Sequence, residues 1–357
     1  MKTFLCEYIH PSARQALESF SEIISDWERL SECDAIINRN LQLTREILET
    51  ATNMKVIAVH GTGMDGVNLE TAKELGIQVF NTPYRNAASV AELNVALMLM
   101  TARKVSQIQK NIAAGASFAD PSVVYGLQGS ELGRKTVAFL GVGEIVKKTI
   151  KICKYGFEMQ CIGWSRSLTK EKAEELGITY AESITEAVKD ADFVVLGMAL
   201  NEETRGIIGR KELSLMKSGA ILINTARGAL IEEDALLEAL ERGSRRGTGA
   251  SEEGKPYLAA AGLDVVAEEP INKTHPLYQL PNVILTPHVG ANTEEALYRV
   301  GMACVEGICA YRFLKHLSVL FLFYFYLFSC FLTFCHKKQH GIGFEYTLIL
   351  YHTFSKT

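Results

Sequence analysis

The chain has 357 residues, 48% of them apolar, with eight cysteines and a formal net charge of −4. That length accommodates two domains of ordinary size, and the mixed, slightly acidic charge offers no basic face, which excludes nucleic acid as an expected partner. The cysteines are scattered and no signal peptide opens the chain, which predicts a reducing compartment, the cytoplasm. Cys304/Cys309 and Cys330/Cys335 share a spacing, but no His or carboxylate accompanies them in metal-ligand fashion, so no metal site is expected.

In chain order, the pattern predicts a strand from Lys2 to Cys6, a helix from Ser12 to Ile23 and a short strand from Asp34 to Ile37. Thr44 is a candidate cap for a helix through Leu48, and 55–59 is a clean apolar strand. A glycine-rich loop follows, His60-Gly61-Thr62-Gly63-Met64-Asp65-Gly66, then a helix over 67–75, a strand over 77–80 and a closing Asn81-Thr82-Pro83. Alternating strands and helices predict an α/β fold, a parallel sheet with helices on both faces. From Ala87 to Lys104 the chain reads as one helix apolar on nearly all sides, hence buried between two units, with the polar 82–86 region suited to a hinge.

The stretch from Thr136 to Ser167 organises the rest. An apolar strand, 136–140, runs into Gly141 and Gly143, then a helical pattern, then a second strand, 160–164, with a polar tip at Ser165-Arg166-Ser167. That context turns a glycine pattern into a dinucleotide fingerprint. Gly141 allows the tight turn, and Gly143 lets backbone N–H groups approach a pyrophosphate at the helix N-terminus. Val146 occupies the third fingerprint position, usually Gly or Ala, and is expected to push the helix slightly outward. An NAD-specific site places a carboxylate at the tip of the second strand. Here Ser165 and Arg166 stand there instead, which predicts a preference for NADP(H) over NAD(H), since a guanidinium grips a 2′-phosphate.

Further strands are predicted at 192–197, 220–223, 259–265 and 283–286, and helices at 211–217 and 232–240, with Thr293 capping a last helix. The stretch from Ser244 to Tyr257 lacks periodicity and reads as a surface insertion. Arg227, Glu269 and His288 each stand just past a strand end, where ligands bind in open parallel sheets, so the three are expected to converge on one cleft.

Together with the fingerprint, these residues resemble the D-isomer-specific 2-hydroxyacid dehydrogenase family. The motifs are HGTGMDGVNLETAKELGIQVFNTP, SVAELNVALMLMTARK, ELGRKTVAFLGVGEI, NTARGALIEEDALLEAL, AGLDVVAEEP and LTPHVGANTEEA, between roughly Cys33 and Tyr311. The resemblance implies two Rossmann-like doubly wound domains, with the cofactor domain inserted into a discontinuous flavodoxin-like substrate domain. The corresponding boundaries are 1–86 with 287–315 for the substrate domain and 87–286 for the dinucleotide-binding domain. By motif, Arg227 would hold the substrate's carboxylate and carbonyl oxygen, His288 would be the general acid or base, and Glu269 would pair with it. Gly61, Thr62 and Gly63 would bind the substrate carboxylate through N–H groups. The cofactor would contact Gly141, Val142, Gly143, Glu144 and Ile145 at the fingerprint and Ser165, Arg166 and Ser167 at the tip. Thr225, Ala226, Asp264 and Val90 would complete its site, with Asp264 on the nicotinamide carboxamide.

The resemblance implies an oxidoreductase, leading with glyoxylate or hydroxypyruvate reduction and a homodimer built on the helix from Ala87. An NAD-linked phosphoglycerate dehydrogenase, with Arg85 as a candidate phosphate cation, and a non-catalytic dinucleotide-sensing protein on the same fold are the alternatives. After about Lys315 the likeness stops. Leu317 to Cys335 is uncharged and apolar with basic flanks, long enough for a transmembrane helix, so 316–357 is either a membrane anchor or an altered C-terminus.

Overall fold

The computed structural model describes residues 1–117, 119, 121–244 and 257–313. The predicted insertion core, 245–256, and the apolar segment Leu317–Cys335 lie outside the described residues. The chain divides into two units, Met1–Val305 and Glu306–Thr357; of the second, 306–313 are described and are helical. Among the described residues no helix is long and apolar enough to cross a membrane, and no group of three His, Cys, Asp or Glu is placed to hold a metal.

The described residues of Met1–Val305 form two sheets, and every strand pairing among them is parallel. The first contains β1 (Lys2–Phe4), β2 (Glu22–Ile24), β3 (Ala35–Asn38), β4 (Val56–Val59) and β5 (Gln78–Asn81), in the order β2-β1-β3-β4-β5. This is the flavodoxin-like order of a doubly wound sheet. β3 and β4 are buried along their whole length, as expected of parallel strands covered on both faces.

The second sheet contains β6 (Thr136–Leu140), β7 (Gln160–Trp164), β8 (Thr179–Tyr180), β9 (Phe193–Leu196), β10 (Ala220–Asn224), β11 (Leu258–Leu263) and β12 (Val283–Leu285). Its order, β12-β11-β10-β9-β6-β7-β8, reverses direction at β6, the strand that carries the glycine turn. That is the Rossmann arrangement, and the switch point is where such sheets bind ligands. Alternate residues feed separate cores on the two faces. Val137, Phe139, Val195 and Ile223 pack on one side, and Ala138, Leu140, Val194 and Leu222 on the other. The helix Ala87–Ala102 covers β10 and β11 and packs along the helix Glu144–Phe157. It ends two residues earlier than its apolar pattern predicts, because Lys104 turns into the left-handed region at φ 52°.

One predicted element is two. The helix expected from Ser12 to Ile23 stops at Glu18, and Glu22–Ile24 becomes β2, in register with Lys2–Phe4. Pairing with the open edge of β1 satisfies the backbone of a β-branched segment that helix propensity favours only weakly. The short β8 was likewise invisible to periodicity, since two residues carry no period.

Candidate active site

The reactive-looking side chains sit past the C-terminal ends of β10, β11 and β12. Arg227 follows β10 on a turn built by Asn224, which is fully buried. Asn224 Oδ1 accepts from the Ala226 N–H at 3.0 Å, and its Nδ2 donates to the Arg227 carbonyl at 2.9 Å. Gly228 lies against the β11 loop so closely that a Cβ there would fall 1.9 Å from the Val266 carbonyl. Only glycine lets the arginine turn seat at this depth.

His288 is held by a second such device. Its N–H donates to the Asp264 carbonyl at 2.8 Å, and its own φ is +52°, in the left-handed region. Asp264, 1% exposed, accepts from Val289 N–H and Thr286 Oγ1 through Oδ1 and from Gly290 N–H through Oδ2. Ser89 Oγ donates to the Gly290 carbonyl at 2.6 Å, and Val90 packs beneath that glycine. Through these bonds the buried Asp264 carboxylate holds the backbone of the 286–290 loop around His288. A non-glycine residue kept in a sparsely populated backbone region is the kind of strain that collects at functional sites.

His288 Nδ1 lies 2.8 Å from Glu269 Oε2, and Glu269 Oε1 accepts from the Val266 N–H at 3.2 Å. Burial pushes the Glu269 carboxyl up. The His288 hydrogen bond and charge, the Val266 N–H and the Arg227 charge outweigh it and hold the group below its usual range. Glu269 is therefore ionised at neutral pH, Nδ1 carries a proton, and Nε2 is the nitrogen left to meet a ligand. Arg227 makes a two-toothed pair with Asp65, Nε to Oδ2 at 2.8 Å and Nη2 to Oδ1 at 2.9 Å. Burial raises the Asp65 carboxyl, but the Arg227 hydrogen bond and charge, with a further contribution from His288, leave it lowered. Four residues from distant parts of the chain thus share one charge network.

The glycine loop after β4 is only partly as expected. The Gly61 N–H already donates to the Val59 carbonyl and to Thr82 Oγ1, at 2.9 and 3.0 Å. Gly61 is therefore withdrawn as a substrate donor; it shapes the loop. Among the described residues, the N–H groups of Thr62 and Gly63 meet no acceptor. Both residues are exposed.

The dinucleotide cradle has a closed and an open glycine. Gly141 has φ +93°, and a Cβ on it would be 2.7 Å from the backbone of Gly197 and Met198. At Gly143, the N-cap of the helix Glu144–Phe157, a Cβ would meet nothing within 4 Å, and no side chain caps the helix. The first-turn N–H groups, which have no intrahelical acceptor, are thus left for an anion, and the residues fit a dinucleotide pyrophosphate. Val146 is accommodated rather than displaced, because its Cγ2 fills the space where a side chain at Gly197 would stand, 2.2 Å from that Cβ position. Glu144 pairs with Lys147 at 2.6 Å, Ile145 accepts the Thr149 hydroxyl through its carbonyl, and Val142 is half-buried. Thr149 in turn joins Asn94, which takes the Thr225 hydroxyl at 2.8 Å, so the turn after β10 is tied to both flanking helices.

At the tip of β7, Ser165 is half-buried while Arg166 and Ser167 are exposed. Arg166 forms an ion pair with Glu203, so a carboxylate does approach this tip, from the loop after β9 rather than from the strand itself. Asn224, Asp65, Thr82, Asn94 and Glu203 were not singled out from sequence. Asp65, Thr82, Asn94 and Asn224 had a signal, since each sits inside one of the family motifs. Glu203 acts through a contact 37 positions away, which no local pattern records.

Fold and cradle define a dinucleotide-binding α/β protein of the doubly wound type. Residues 95–290 match the family described as D-isomer specific 2-hydroxyacid dehydrogenase, NAD binding domain, and the chain belongs to that family. It is 37% identical over 317 residues to a D-3-phosphoglycerate dehydrogenase of Methanocaldococcus jannaschii, a match that takes in 86% of this chain and spans 57% of that protein's length. It is 35% identical over 322 residues to a glyoxylate reductase of Thermococcus litoralis, covering 85% of this chain and 90% of the relative. Among solved structures, the TT0316 protein from Thermus thermophilus matches with a TM-score of 0.74 at 31% identity, covering 86% of this chain and 95% of that one.

Proposed function

We propose that the chain is an NAD(P)H-dependent oxidoreductase that interconverts small 2-oxo acids and D-2-hydroxy acids, with glyoxylate or hydroxypyruvate the leading substrate. The observation that carries this reading is the His288–Glu269 couple beside the Arg227 turn, all at the carboxyl ends of adjacent strands. Bound nicotinamide supplies or accepts the hydride. Gly143 and the first turn from Glu144 would hold the pyrophosphate. Thr62 and Gly63 N–H groups and the Arg227 guanidinium would bind the substrate carboxylate, and Arg227 would also polarise the carbonyl oxygen. In reduction, His288 would deliver a proton from Nε2 to that oxygen, with Glu269 holding the ring in place through Nδ1. In oxidation the same nitrogen would take the proton back.

The domain division we infer is 1–86 with 287–315 for substrate and 87–286 for cofactor, a reading supported by the separation of β1–β5 and β6–β12 into two sheets. NADP(H) preference rests on Arg166. Its pairing with Glu203 leaves the two side chains 63% and 73% exposed, a solvent-screened pair that a 2′-phosphate can replace. A homodimer is supported by apolar residues left exposed beyond the helix Ala87–Ala102, with Ile112 at 50% and Tyr125 at 77%. Free thiols at Cys6, Cys33, Cys153, Cys161, Cys304 and Cys309 support a reducing, cytoplasmic setting.

A second reading, NAD-linked phosphoglycerate dehydrogenase, is favoured by the 37% identity to the Methanocaldococcus protein of that name and by Arg85, exposed beside the glycine loop's hinge. Comparing turnover of glyoxylate, hydroxypyruvate and phosphoglycerate, each with both cofactors, decides between them. Preference for phosphoglycerate with NAD would overturn the reductase reading.

A further inference from the structure

The roles proposed so far leave Asp65 without a task, although its contact with Arg227 joins residues 162 positions apart. We propose that Asp65 is a positioning residue, clamping one edge of the Arg227 guanidinium so that its remaining donors are presented to the substrate carboxylate; this rests on the 2-oxo acid reading. A guanidinium has five N–H donors. Nε and Nη2 each give one to Asp65, and Nη1 gives one to the Ala226 carbonyl at 2.7 Å. One N–H on each terminal nitrogen remains, the pair that an incoming carboxylate takes as a fork.

The same clamp brings the arginine onto the glycine loop. A Cβ at Gly63 would be 1.8 Å from Arg227 Nη2 and 2.7 Å from Asp65 Oδ1, so the guanidinium lies flush on the Gly63 backbone. The unpartnered N–H groups of Thr62 and Gly63 and the two spare guanidinium donors are thereby gathered by one carboxylate. A long side chain loses much rotamer freedom when it grips a ligand; Asp65 removes that freedom before the ligand arrives. The aspartate's own negative charge is offset on its other sides by Arg227 and by His288.

The test compares Asp65→Ala and Asp65→Asn in the native chain and in an Arg227→Lys background. It measures kcat and KM with glyoxylate and hydroxypyruvate and, separately, cofactor Kd from nicotinamide fluorescence. In the native background, Asp65→Ala is expected to raise KM and lower kcat, with kcat/KM falling about 10- to 100-fold. Asp65→Asn, which keeps one acceptor oxygen, is expected to fall between, with cofactor Kd unchanged. In the Arg227→Lys background the further loss is expected to be less than about threefold, because the clamped group is gone. Equal losses in both backgrounds would make Asp65 merely structural, and an unchanged or lowered KM would make it idle or a competitor of the substrate; each overturns the assignment alone. A native chain that binds cofactor yet reduces no 2-oxo acid overturns the functional reading, and the assignment with it.

Discussion

His288 and Glu269 meet at 2.8 Å through Nδ1 and Oε2, and the carboxylate is itself fixed by the Val266 N–H. This couple decides which imidazole nitrogen faces the ligand. Glu269→Gln keeps the shape but removes the charge and the fixed Nδ1 acceptor, so kcat for reduction is expected to drop by about 10- to 100-fold. The sign on the acid side is also fixed. Glu269 sits below its ordinary value of 4.5, so the carboxylate's contribution is present above that value and lost as pH falls through the depressed one. A kcat profile for the Gln variant that parallels the native one would contradict this role.

His288→Ala removes the proton donor without touching the cradle around Gly141 and Gly143. Turnover is expected to fall by about 100- to 10,000-fold while cofactor binding, read by fluorescence titration, stays native. This separates the enzyme from a dinucleotide-sensing protein on the same fold, for which turnover would be absent from the start.

Gly228→Ala places a methyl group 1.9 Å from the Val266 carbonyl, and backbone must move to admit it. A stability loss of about 1–3 kcal/mol is expected from such overpacking, with a fall in kcat/KM as the Arg227 turn shifts. Chemical denaturation and steady-state kinetics on the same preparation read both.

His60 gives a stability test unconnected with catalysis. Its Nε2 is buried and meets no partner among the described residues, and burial, with the Arg39 charge adding, pushes its pKa from 6.5 down to about 4. The folded state keeps the ring neutral, whereas the unfolded chain protonates near 6.5. Stability linked to His60 is therefore intact above that pH and is lost as pH falls from about 6.5 towards 4, about 2 kcal/mol of it by about pH 5. His60→Leu is expected to lose correspondingly less stability than the native chain between neutral pH and about pH 5, measured by urea unfolding at both.

β6 was legible because a strand buried on both faces reads as a nearly unbroken apolar run, and β7 because a short, mostly apolar stretch follows the helix of the glycine fingerprint; 136–140 and 160–164 coincide with the two strands residue for residue. The edge strand β2 was not legible, since its identity depends on pairing with β1 and not on its own pattern. At the site, Arg227, Glu269 and His288 were legible as charged residues past strand ends. What Asp264 and Asp65 do was not, because an aspartate's role is set by donors that arrive from elsewhere: the backbone of Val289 and Gly290 for one, a guanidinium from the other sheet for the other. Gly61 shows the reverse case, a loop glycine whose N–H is already satisfied by Thr82.

The most direct measurement is the oxidation of NADPH and NADH by the full chain with glyoxylate and hydroxypyruvate, followed by loss of reduced-nicotinamide absorbance, for the native protein and for Arg166→Ala. Turnover of at least one of these acids is expected, with NADPH favoured, and with that preference lost in the variant. Cofactor binding without turnover of either acid would contradict the assignment of the Arg227, Glu269 and His288 site to 2-oxo acid reduction.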